Sequence, residues 1–570
     1  RGGRPGRQPA TSGLATLLAY RRSWLRADVL AGITVTAYLV PQCLAYADLA
    51  GVTPVTGLWV AVVAMVAYAL LGTSRLLSVG PESATAVMVA AAVAPLAGGD
   101  TARYAALAGG LAVLVGLVCL AAFALRLGFI ADLLSHPILV GYMAGVAVIM
   151  VASQLGTLTG IALEAEAPLS RVAEVAGRLD ETHLPTFLVG LGVVALLAVL
   201  RWIAPLAPGS LLAVAGAVTV VALLGLADDG VALVGAIPAG LPVPSLPALG
   251  IGDLVALGGS AVAIAFVAYS DTALTGRAFA RRSGETIDAN REFLALGTAN
   301  VAAGLTGGFV TSASASRTAI VDAMRAHTQA TGLVAAASVV IVVVALPGLI
   351  ALIPRAALAG IVLVAAVRLI DVVALRRLAR FRPTELGLAL TATAGVLVFD
   401  VLAGILIAIA LSVADLFARV ARPPASVLGR VPGLAGLHNV EDYPDAATVP
   451  GLVVFRYDAP LCFANAADFR ERALAAVAAE STPVEWFLLN AEAIVELDLT
   501  AVDAFRELHE DLTAQGVVFA MARVKQDLRA QLARGGLLDE VGPDLMFPTL
   551  PVALEAFERR PRPAGNPAGL

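Results

Sequence analysis

Charged residues are scarce in this sequence. Only 14% of the 570 residues are Asp, Glu, Lys or Arg, whereas 59% are hydrophobic. Ordinary soluble domains contain about a quarter charged residues, so this composition excludes a chain that is soluble throughout. Long apolar runs fill residues 28 to 421, and the remaining C-terminal residues return to a soluble composition. We therefore expect two domains, the first of them embedded in lipid.

Cysteines are also few, and they stand far apart. Cys43, Cys119 and Cys462 form no CxxC pair, which excludes a disulfide framework or a zinc site. The formal net charge is -5, and no basic stripe is interleaved with aromatic residues. A nucleic-acid partner is therefore not expected. No cofactor is expected either, apart from Na⁺ or H⁺ as a coupling ion.

The N-terminal region is basic and has no cleavage signal. Residues 1 to 26 contain six Arg and no acidic residue, and they lack an apolar core followed by a small-residue cleavage site. We interpret residues 1–27 as a cytoplasmic segment, 28–421 as a transmembrane transport domain and 422–565 as a cytoplasmic α/β domain.

The apolar runs predict fourteen membrane spans, because a helix needs about 20 apolar residues to cross the hydrocarbon core. Several spans are short or broken. The predicted spans are 28–50, 55–72, 82–97, 102–125, 130–155, 184–203, 208–227, 253–276, 291–306, 314–326, 329–347, 351–369, 384–400 and 401–421.

The distribution of Arg supports this count. Cytoplasmic loops collect basic residues, and Arg recurs in every second loop, at Arg126, Arg201, Arg277, Arg281, Arg282, Arg376, Arg377, Arg380 and Arg382. The loops between them are acidic or uncharged. An even number of spans places both termini in the cytoplasm of a multi-pass protein of the cell membrane.

Two segments at membrane depth do not read as helices. Residues 77–83 and 307–314 are rich in Gly, Pro and Ser. Non-helical backbone is tolerated at this depth only where it lines a cavity or is buried in protein. The segments lie in the third and tenth spans, which correspond if the spans form two halves of seven. This pairing is typical of an inverted-repeat transporter with two broken helices.

Each extended segment leads into a short helix, one starting near Ser83 and Ala84, the other near Ala315. Helix N-termini bind anions through free N–H groups and a positive dipole end. Arg317 would stand in the first turn of the second short helix, and the hydroxyls of Ser314 and Ser316 lie beside it. We predict an anion site here. The alternative is that Ser and Gly only permit close helix packing and that Arg317 extends to the membrane interface.

Acidic residues within the spans are further candidates. Asp271 lies in the eighth span, with Thr275 one helical turn later. An intramembrane acid is functional by default, and this pair could bind Na⁺ or exchange a proton. A salt bridge from Asp271 to Arg317 is the structural alternative.

Glu82 stands at the start of the first short helix, where its charge competes with a bound anion. We hypothesise that Glu82 is protonated or turned away when a divalent anion binds, although helix capping explains the residue equally well. Gln42 and Tyr46 could add uncharged donors to the cavity. Asn290 and Asn300 are interpreted as caps or turn formers at the ends of the ninth span.

The C-terminal region alternates strands with helices. Residues 451–457, 484–489 and 517–522 read as buried strands, and 466–479, 500–513 and 525–534 as amphipathic helices. This order predicts an open α/β sheet. No grouping of nucleophile, base and orienting residue is present, so a regulatory or assembly role is expected rather than catalysis.

Motifs along nearly the whole chain resemble the SulP family of anion transporters, closest to the sulfate transporters of actinobacteria and mycobacteria. They include Pro41-Gln42-Cys43-Leu44-Ala45-Tyr46-Ala47, Ser78-Val79-Gly80-Pro81, Ser316-Arg317-Thr318 and Thr328-Gln329. Residues 455–465 resemble the opening of that family's STAS domain.

The resemblance implies a polytopic α-helical membrane protein with a seven-plus-seven inverted repeat, core and gate domains, an elevator-like movement and homodimers. It places Gln42, Tyr46, Glu82, Ser314, Ser316 and Arg317 around the anion. Asp271 and Thr275 resemble the sodium-site residues of cyanobacterial bicarbonate transporters, whereas many proton-coupled relatives carry Glu there. The coupling ion therefore stays open.

The functional hypothesis is sulfate uptake by proton- or sodium-coupled symport. Sodium-dependent transport of bicarbonate or a dicarboxylate is an alternative from the same family. An anion channel or voltage-responsive motor is an alternative from another class. The carboxylates of Glu82 and Asp271 argue against a passive pore, because a charged carboxylate in the path repels anions. An enzyme is not expected.

Overall fold

The computed structural model describes residues 12–129, 136–165, 167–204, 207–236, 242, 244–283, 285–399 and 401–560. Contacts divide the chain into two compact units, Arg1–Ser412 and Val413–Leu570. The domain bounds expected from the sequence stay predictions. Parts of the expected segments and spans lie outside the described residues, namely 1–11, 130–135, 400 and 561–565, and so does the side chain of Arg282.

The described part of the first unit is helical apart from two very short strands. Its elements in chain order are α1 (Gly13–Leu18), α2 (Leu25–Leu49), α3 (Pro54–Leu71), β1 (Val79–Gly80), α4 (Ser83–Ala97), α5 (Thr101–Ala124), α6 (His136–Thr159), α7 (Pro168–Gly177), α8 (Leu184–Ile203), α9 (Gly209–Leu224), α10 (Ile251–Ser283), α11 (Ala289–Leu305), β2 (Ser312–Ala313), α12 (Ala315–Ala323), α13 (Ala330–Ala345), α14 (Pro347–Ala351), α15 (Arg355–Leu369), α16 (Val372–Phe381), α17 (Pro383–Phe399) and α18 (Val401–Ala421), which continues into the second unit.

A helix is present at each of the fourteen predicted spans, which confirms the polytopic helical fold. Within the described residues, seven helical stretches are long and apolar enough to cross a membrane, and four shorter helices are also apolar. Four helices, α1, α7, α14 and α16, were not predicted from the sequence. These helices are short, and α7 and α16 are amphipathic, so they carry no long apolar run.

The packing of the helices follows the inverted repeat. If the first seven spans are matched in order with the second seven, contacts occur in corresponding pairs. The contact of α5 with α11 corresponds to that of α13 with α3, and α2 with α13 corresponds to α10 with α5. In the same way, α6 packs on α17 as α15 packs on α8.

The helices fall into two groups by packing. In one group α2, α3, α4 and α5 pack with α10, α11, α12 and α13; in the other, α6, α8 and α9 pack with α15 and α17. We call these the core group and the gate group. Contacts between the groups involve chiefly α2 and α4 of the core group with α6, α9 and α15 of the gate group.

Two acidic residues tie the halves of the core group together at corresponding positions. Asp28, in the first turn of α2, is fully buried and accepts hydrogen bonds from the backbone N–H of His327 (2.7 Å) and the hydroxyl of Thr328 (2.7 Å), just before α13. Asp253, in the first turn of α10, accepts one from Arg103 (2.9 Å) in the first turn of α5. These charge-assisted bonds fix the helix ends.

Close contact between α5 and α11 depends on glycine. A Cβ atom added at Gly304 would lie 2.4 Å from the carbonyl oxygen of Gly109, and one added at Gly116 would lie 2.7 Å from that of Gly297. Small residues let membrane helices approach closely. The two helices thus form a tight pair, and α11 leads directly into the segment before β2.

The second unit is an open α/β sheet. Its elements are β3 (Ala425–Gly429), β4 (His438–Asn439), β5 (Leu452–Tyr457), α19 (Ala466–Ala478), β6 (Trp486–Asn490), α20 (Leu499–Ala514), β7 (Val518–Ala522), α21 (Gln526–Arg534), α22 (Leu537–Val541), β8 (Met546–Phe547) and α23 (Leu550–Arg559).

The strands are arranged in the order β4-β3-β5-β6-β7-β8, with β5 to β8 parallel and β3 and β4 antiparallel to their neighbours. The three strands and three helices predicted from the sequence are confirmed, whereas β3, β4, β8, α22 and α23 were missed. The predicted strands were detectable because they are continuous apolar runs, as expected for parallel strands covered on both faces.

Candidate anion-binding site

The two extended segments meet in an antiparallel ribbon. Val79 of β1 pairs with Ala313 of β2, and Gly80 pairs with Ser312. As predicted, a short helix follows each strand, since α4 begins at Ser83 and α12 at Ala315. The N-terminal ends of both half-helices therefore emerge from one small sheet.

Hydrogen bonds across the ribbon extend to the start of α12. The carbonyl of Ser78 accepts a hydrogen bond from the N–H of Ser314 (2.9 Å), and the N–H of Ser78 donates to the Thr318 hydroxyl (3.0 Å). Unpaired backbone groups in hydrocarbon cost several kcal/mol each. These bonds allow extended backbone to persist at membrane depth and hold the two helix starts together.

Two amide side chains hold the segments that precede the strands. The Asn300 side chain donates to the carbonyl of Thr311 (3.1 Å) and accepts from its N–H (2.8 Å). Gln329 donates to the carbonyls of Ser74 and Leu77, both at 2.9 Å. The interpretation of Asn300 as a cap or turn former is wrong, because it lies inside α11 and its partner is eleven residues away.

A cavity of about 400 Å³ lies in front of the two half-helix starts. Walls from α2, α4, α10 and α12 belong to the core group, and walls from α6, α8, α9 and α15 belong to the gate group. Nine residues singled out from the sequence line it, namely Gln42, Tyr46, Glu82, Ser83, Ala84, Asp271, Ser314, Ala315 and Ser316. Two others, Arg317 and Thr275, do not.

The N-terminal end of α4 is capped by a side chain of the protein itself. Glu82 is the N-cap residue, and its carboxylate accepts hydrogen bonds from the N–H of Ala84 (2.7 Å) and the hydroxyl of Ser83 (2.8 Å). The capping interpretation thus describes the geometry of this structure. The Glu82 carboxylate takes donors that an exogenous anion would otherwise use at this helix end.

The start of α12 is open by contrast. Ser314 is the N-cap residue but its side chain makes no capping hydrogen bond, and its hydroxyl lies 3.2 Å from that of Ser316. Ala315 and Ser316 are exposed within the cavity. The first amide groups of a helix have no intrahelical acceptor, so this end offers N–H donors, two hydroxyls and a positive dipole end.

Arg317 lies behind the ribbon, and not on the cavity wall. Its side chain is fully buried; Nη1 donates to the carbonyl of Pro81 (2.9 Å), and Nε lies 3.4 Å from the Ser78 hydroxyl. Nη2 has no hydrogen-bond partner among the described residues. The alternative that Arg317 extends to the membrane interface does not fit this burial. The guanidinium fixes the backbone before α4 and adds positive charge beneath both helix starts.

Asp271 lines the cavity without a partner. It forms no hydrogen bond or ion pair with any described residue, so the alternative of a salt bridge to Arg317 is not realised. Thr275 is buried and is not among the residues that line the cavity. The spacing of the two residues predicts one shared helix face, but only Asp271 reaches the cavity.

Sequence reasoning missed much of the opposite wall. Arg201 of α8, Ser210 of α9 and Arg368 of α15 line the cavity, as does Tyr38 of α2. Arg201 served only as a topology marker, and the others were not singled out. Arg368 could have been found from the sequence, because an Arg within a predicted span is rare and marks a substrate pathway by default.

Comparisons with known proteins agree with this architecture. The sequence model of the Sulfate permease family matches residues 25–392, and that of the STAS domain matches residues 443–553. A probable sulfate transporter of Mycobacterium tuberculosis is 54% identical over 549 residues, covering 96% of this chain and 98% of that protein. Probable sulfate transporter 4.2 of Arabidopsis thaliana is 30% identical, covering 92% and 80%.

Solved structures show the same fold. Murine Solute Carrier 26 family member A9, described as an anion transporter in the inward-facing state, matches with a TM-score of 0.88 at 20% identity, covering 96% of this chain and 94% of that one. The transmembrane domain of a cyanobacterium bicarbonate transporter matches with a TM-score of 0.63 at 23% identity, covering 68% and 98%. This chain is a multi-pass membrane protein that belongs to the sulfate permease family and carries a C-terminal STAS domain.

Proposed function

We propose that this protein is a secondary active transporter that takes up sulfate by symport with a proton or sodium ion through an elevator-like movement. The observation that carries the proposal is the uncapped start of α12, which faces a cavity of about 400 Å³ beside the carboxylates of Glu82 and Asp271. The names of relatives at 54% and 30% identity support sulfate as the substrate and transport rather than catalysis as the activity.

The donors around the α12 start suit a tetrahedral oxyanion. The N–H groups of Ala315 and Ser316 and the hydroxyls of Ser314 and Ser316 supply hydrogen bonds, and Gln42 and Tyr46 line the same cavity. Helix starts stabilise anions by the dipole and by direct N–H contacts. Arg317 contributes from behind the ribbon, where its charge is removed from water and therefore acts over a longer range.

Coupling to a cation follows from the two carboxylates. A divalent anion at the start of α12 shares the cavity with Glu82 and with the unpartnered Asp271. Two carboxylates disfavour that anion unless a cation neutralises them. A proton on Asp271 or Glu82 would remove the repulsion. The position of Thr275 away from the cavity favours a proton over a sodium ion held by the Asp271–Thr275 pair.

The elevator-like movement would shift the core group against the gate group. Both half-helix starts and Asp271 belong to the core group, so the bound anion would travel with it past the gate wall. The Arg-rich loops support a cytoplasmic location for the N-terminus and the STAS domain in the plasma membrane. Homodimer formation is part of this proposal, on the basis of the family resemblance.

Uptake of labelled sulfate into proteoliposomes tests the proposal. A pH gradient, acidic outside, should accelerate uptake into vesicles without a sodium gradient, whereas an equal sodium gradient without a pH gradient should not. Uptake driven by a sodium gradient alone would mean that the coupling ion is sodium and not a proton. No uptake with either gradient would reject the function, and electrical currents far above transporter turnover would indicate a channel instead. Competition by bicarbonate and dicarboxylates distinguishes the remaining substrates.

A further inference from the structure

The gate-group wall of the cavity carries positive charge that is not paired. Arg201 at the end of α8 and Arg368 at the end of α15 both line the cavity. Neither forms an ion pair or hydrogen bond with another residue in the described part of the chain. Both also line a second cavity of about 330 Å³ that shares Leu197 and Val364 with the first. The two guanidinium groups are thus near neighbours of the same sign.

Arg201 and Arg368 are both exposed where they line the cavity, so water screens part of their mutual repulsion. Their combined positive potential attracts anions into the cavity. Arg within a membrane segment normally pairs with an acid or lines a substrate path. The acids that line the cavity, Glu82 and Asp271, belong to the core group on the other wall.

The same wall contains a third helix start. α9 begins at Gly209 after Pro208, which supplies no side-chain cap, and Gly209 and Ser210 line the cavity. Ser210 is 7% exposed, and its hydroxyl oxygen has no hydrogen-bond partner in the described residues. A buried hydroxyl without a partner is unfavourable, so the Ser210 hydroxyl is a donor that a ligand in the adjoining cavity would satisfy.

The geometry points to a second anion subsite on the gate group, formed by Arg201, Arg368 and Ser210 with the N–H groups of Ser210 and Leu211 in the first turn of α9. We call it the gate-side subsite. It rests on the proposed function, because its ligand is the same divalent oxyanion. Arg201 is assigned to the cytoplasmic side, so during uptake the subsite receives the anion as the start of α12 releases it. Because the subsite belongs to the gate group, it does not travel with the core group.

The first test measures the electrostatic potential at the subsite without relying on transport. Leu200 lines the cavity beside Arg201 and is half-buried, so Leu200→Cys is labelled with an anionic and with a cationic methanethiosulfonate reagent in the full-length protein. The ratio of the anionic to the cationic labelling rate should fall at least 10-fold when Arg201→Gln and Arg368→Gln are added. Sulfate should slow labelling by the anionic reagent in the Leu200→Cys protein only.

Arg377→Gln is the matched control, because Arg377 is an exposed Arg of α16 that does not line the cavity. It should leave the ratio of rates unchanged. An unchanged ratio in the double Arg variant, or protection by sulfate that persists in it, would overturn the subsite.

Transport kinetics provide the second test. For sulfate transported from the side of the membrane on which Arg201 lies, Arg201→Gln and Arg368→Gln should each raise the KM about 3- to 10-fold and leave kcat within twofold, and Ser210→Ala should raise the KM about 3-fold. Arg368→Lys should recover most of the affinity, because it retains the charge. A normal KM in the double Arg variant would overturn the proposal. If the unmodified protein carries no sulfate, the proposed function fails, while the labelling result still decides whether the subsite binds anions.

Discussion

At the scale of single residues, the two half-helix starts differ because of Glu82. Both helices offer free N–H groups at their first turns, but the Glu82 carboxylate covers that of α4 whereas Ser314 leaves that of α12 open. The carboxylate therefore occupies one of the two helix starts that face the cavity. Its presence should weaken the binding of an anion at α12.

Glu82→Gln should lower the KM for sulfate about 3- to 10-fold at constant pH, because a carboxylate that competes with the bound anion is removed. The amide oxygen can still accept from the Ala84 N–H, so α4 stays capped. Initial rates of sulfate uptake at one pH measure this. Glu471→Gln, at an exposed position of the STAS domain, serves as control, and an unchanged KM in Glu82→Gln would contradict the role.

Arg317→Lys should lose at least 10-fold in uptake while the protein still folds. The guanidinium contacts Pro81 and Ser78 through two different nitrogen atoms, whereas an ammonium is a point charge that cannot span both. Arg317→Ala should in addition lower stability by about 1 to 3 kcal/mol, because the Pro81 carbonyl loses its donor. Uptake and thermal unfolding in detergent are the readouts. Normal uptake by Arg317→Lys would show that the fork geometry is unimportant; Arg377→Lys is the control.

At the scale of elements, the position of β2 depends on how tightly α5 and α11 pack. The glycine contacts between these helices precede the segment that Asn300 holds through Thr311. A larger side chain at the contact would separate the helices and displace this segment. The effect should appear in stability and in anion binding together.

Gly304→Leu should destabilise the protein by about 1 to 3 kcal/mol through overpacking. Its Cβ would meet the Gly109 backbone oxygen at 2.4 Å, and backbone cannot rotate away as a side chain can. Thermal unfolding in detergent measures the loss. Gly192→Leu on α8 is the matched control, since no atom lies within 4 Å of an added Cβ there. Equal melting temperatures for the two variants would contradict the importance of this contact.

The elements were largely predictable from the sequence, but the far wall of the site was not. Hydropathy determines where helices cross, and the Gly, Pro and Ser residues around Gly80 and Gly308 are local signals, so the spans and the half-helix starts could be predicted. Tertiary packing determines that Arg201 lines the cavity, that Arg317 is buried and that Asn300 bonds Thr311. The pattern of apolar spans in a sequence does not show which neighbour a side chain contacts.

At the scale of the whole molecule, the proposed elevator-like movement requires the core and gate groups to move against each other. Few polar bonds can then persist across their boundary. One that is present joins the Tyr38 hydroxyl of α2 to the carbonyl of Ala207 in the α8–α9 turn, at 2.5 Å. This bond stabilises one relative position of the two groups and must break when they move.

Tyr38→Phe should shift the balance between conformations by about 2- to 10-fold, which corresponds to the 0.5 to 1.5 kcal/mol net value of one hydrogen bond. The labelling rate of Leu200→Cys should change by the same factor. Tyr104→Phe is the matched control, because its hydroxyl bonds the Ala50 carbonyl (2.7 Å) within the core group. Identical labelling rates for both variants would indicate that the Tyr38 bond does not distinguish the conformations.

The central claim is that the start of α12 binds the transported anion, and an electron cryomicroscopy structure with selenate tests it most directly. The purified protein would be imaged in nanodiscs at a selenate concentration that saturates competition with sulfate uptake. We predict tetrahedral density within hydrogen-bond distance of the N–H groups of Ala315 and Ser316. A cavity without density at the α12 start under these conditions would contradict the account.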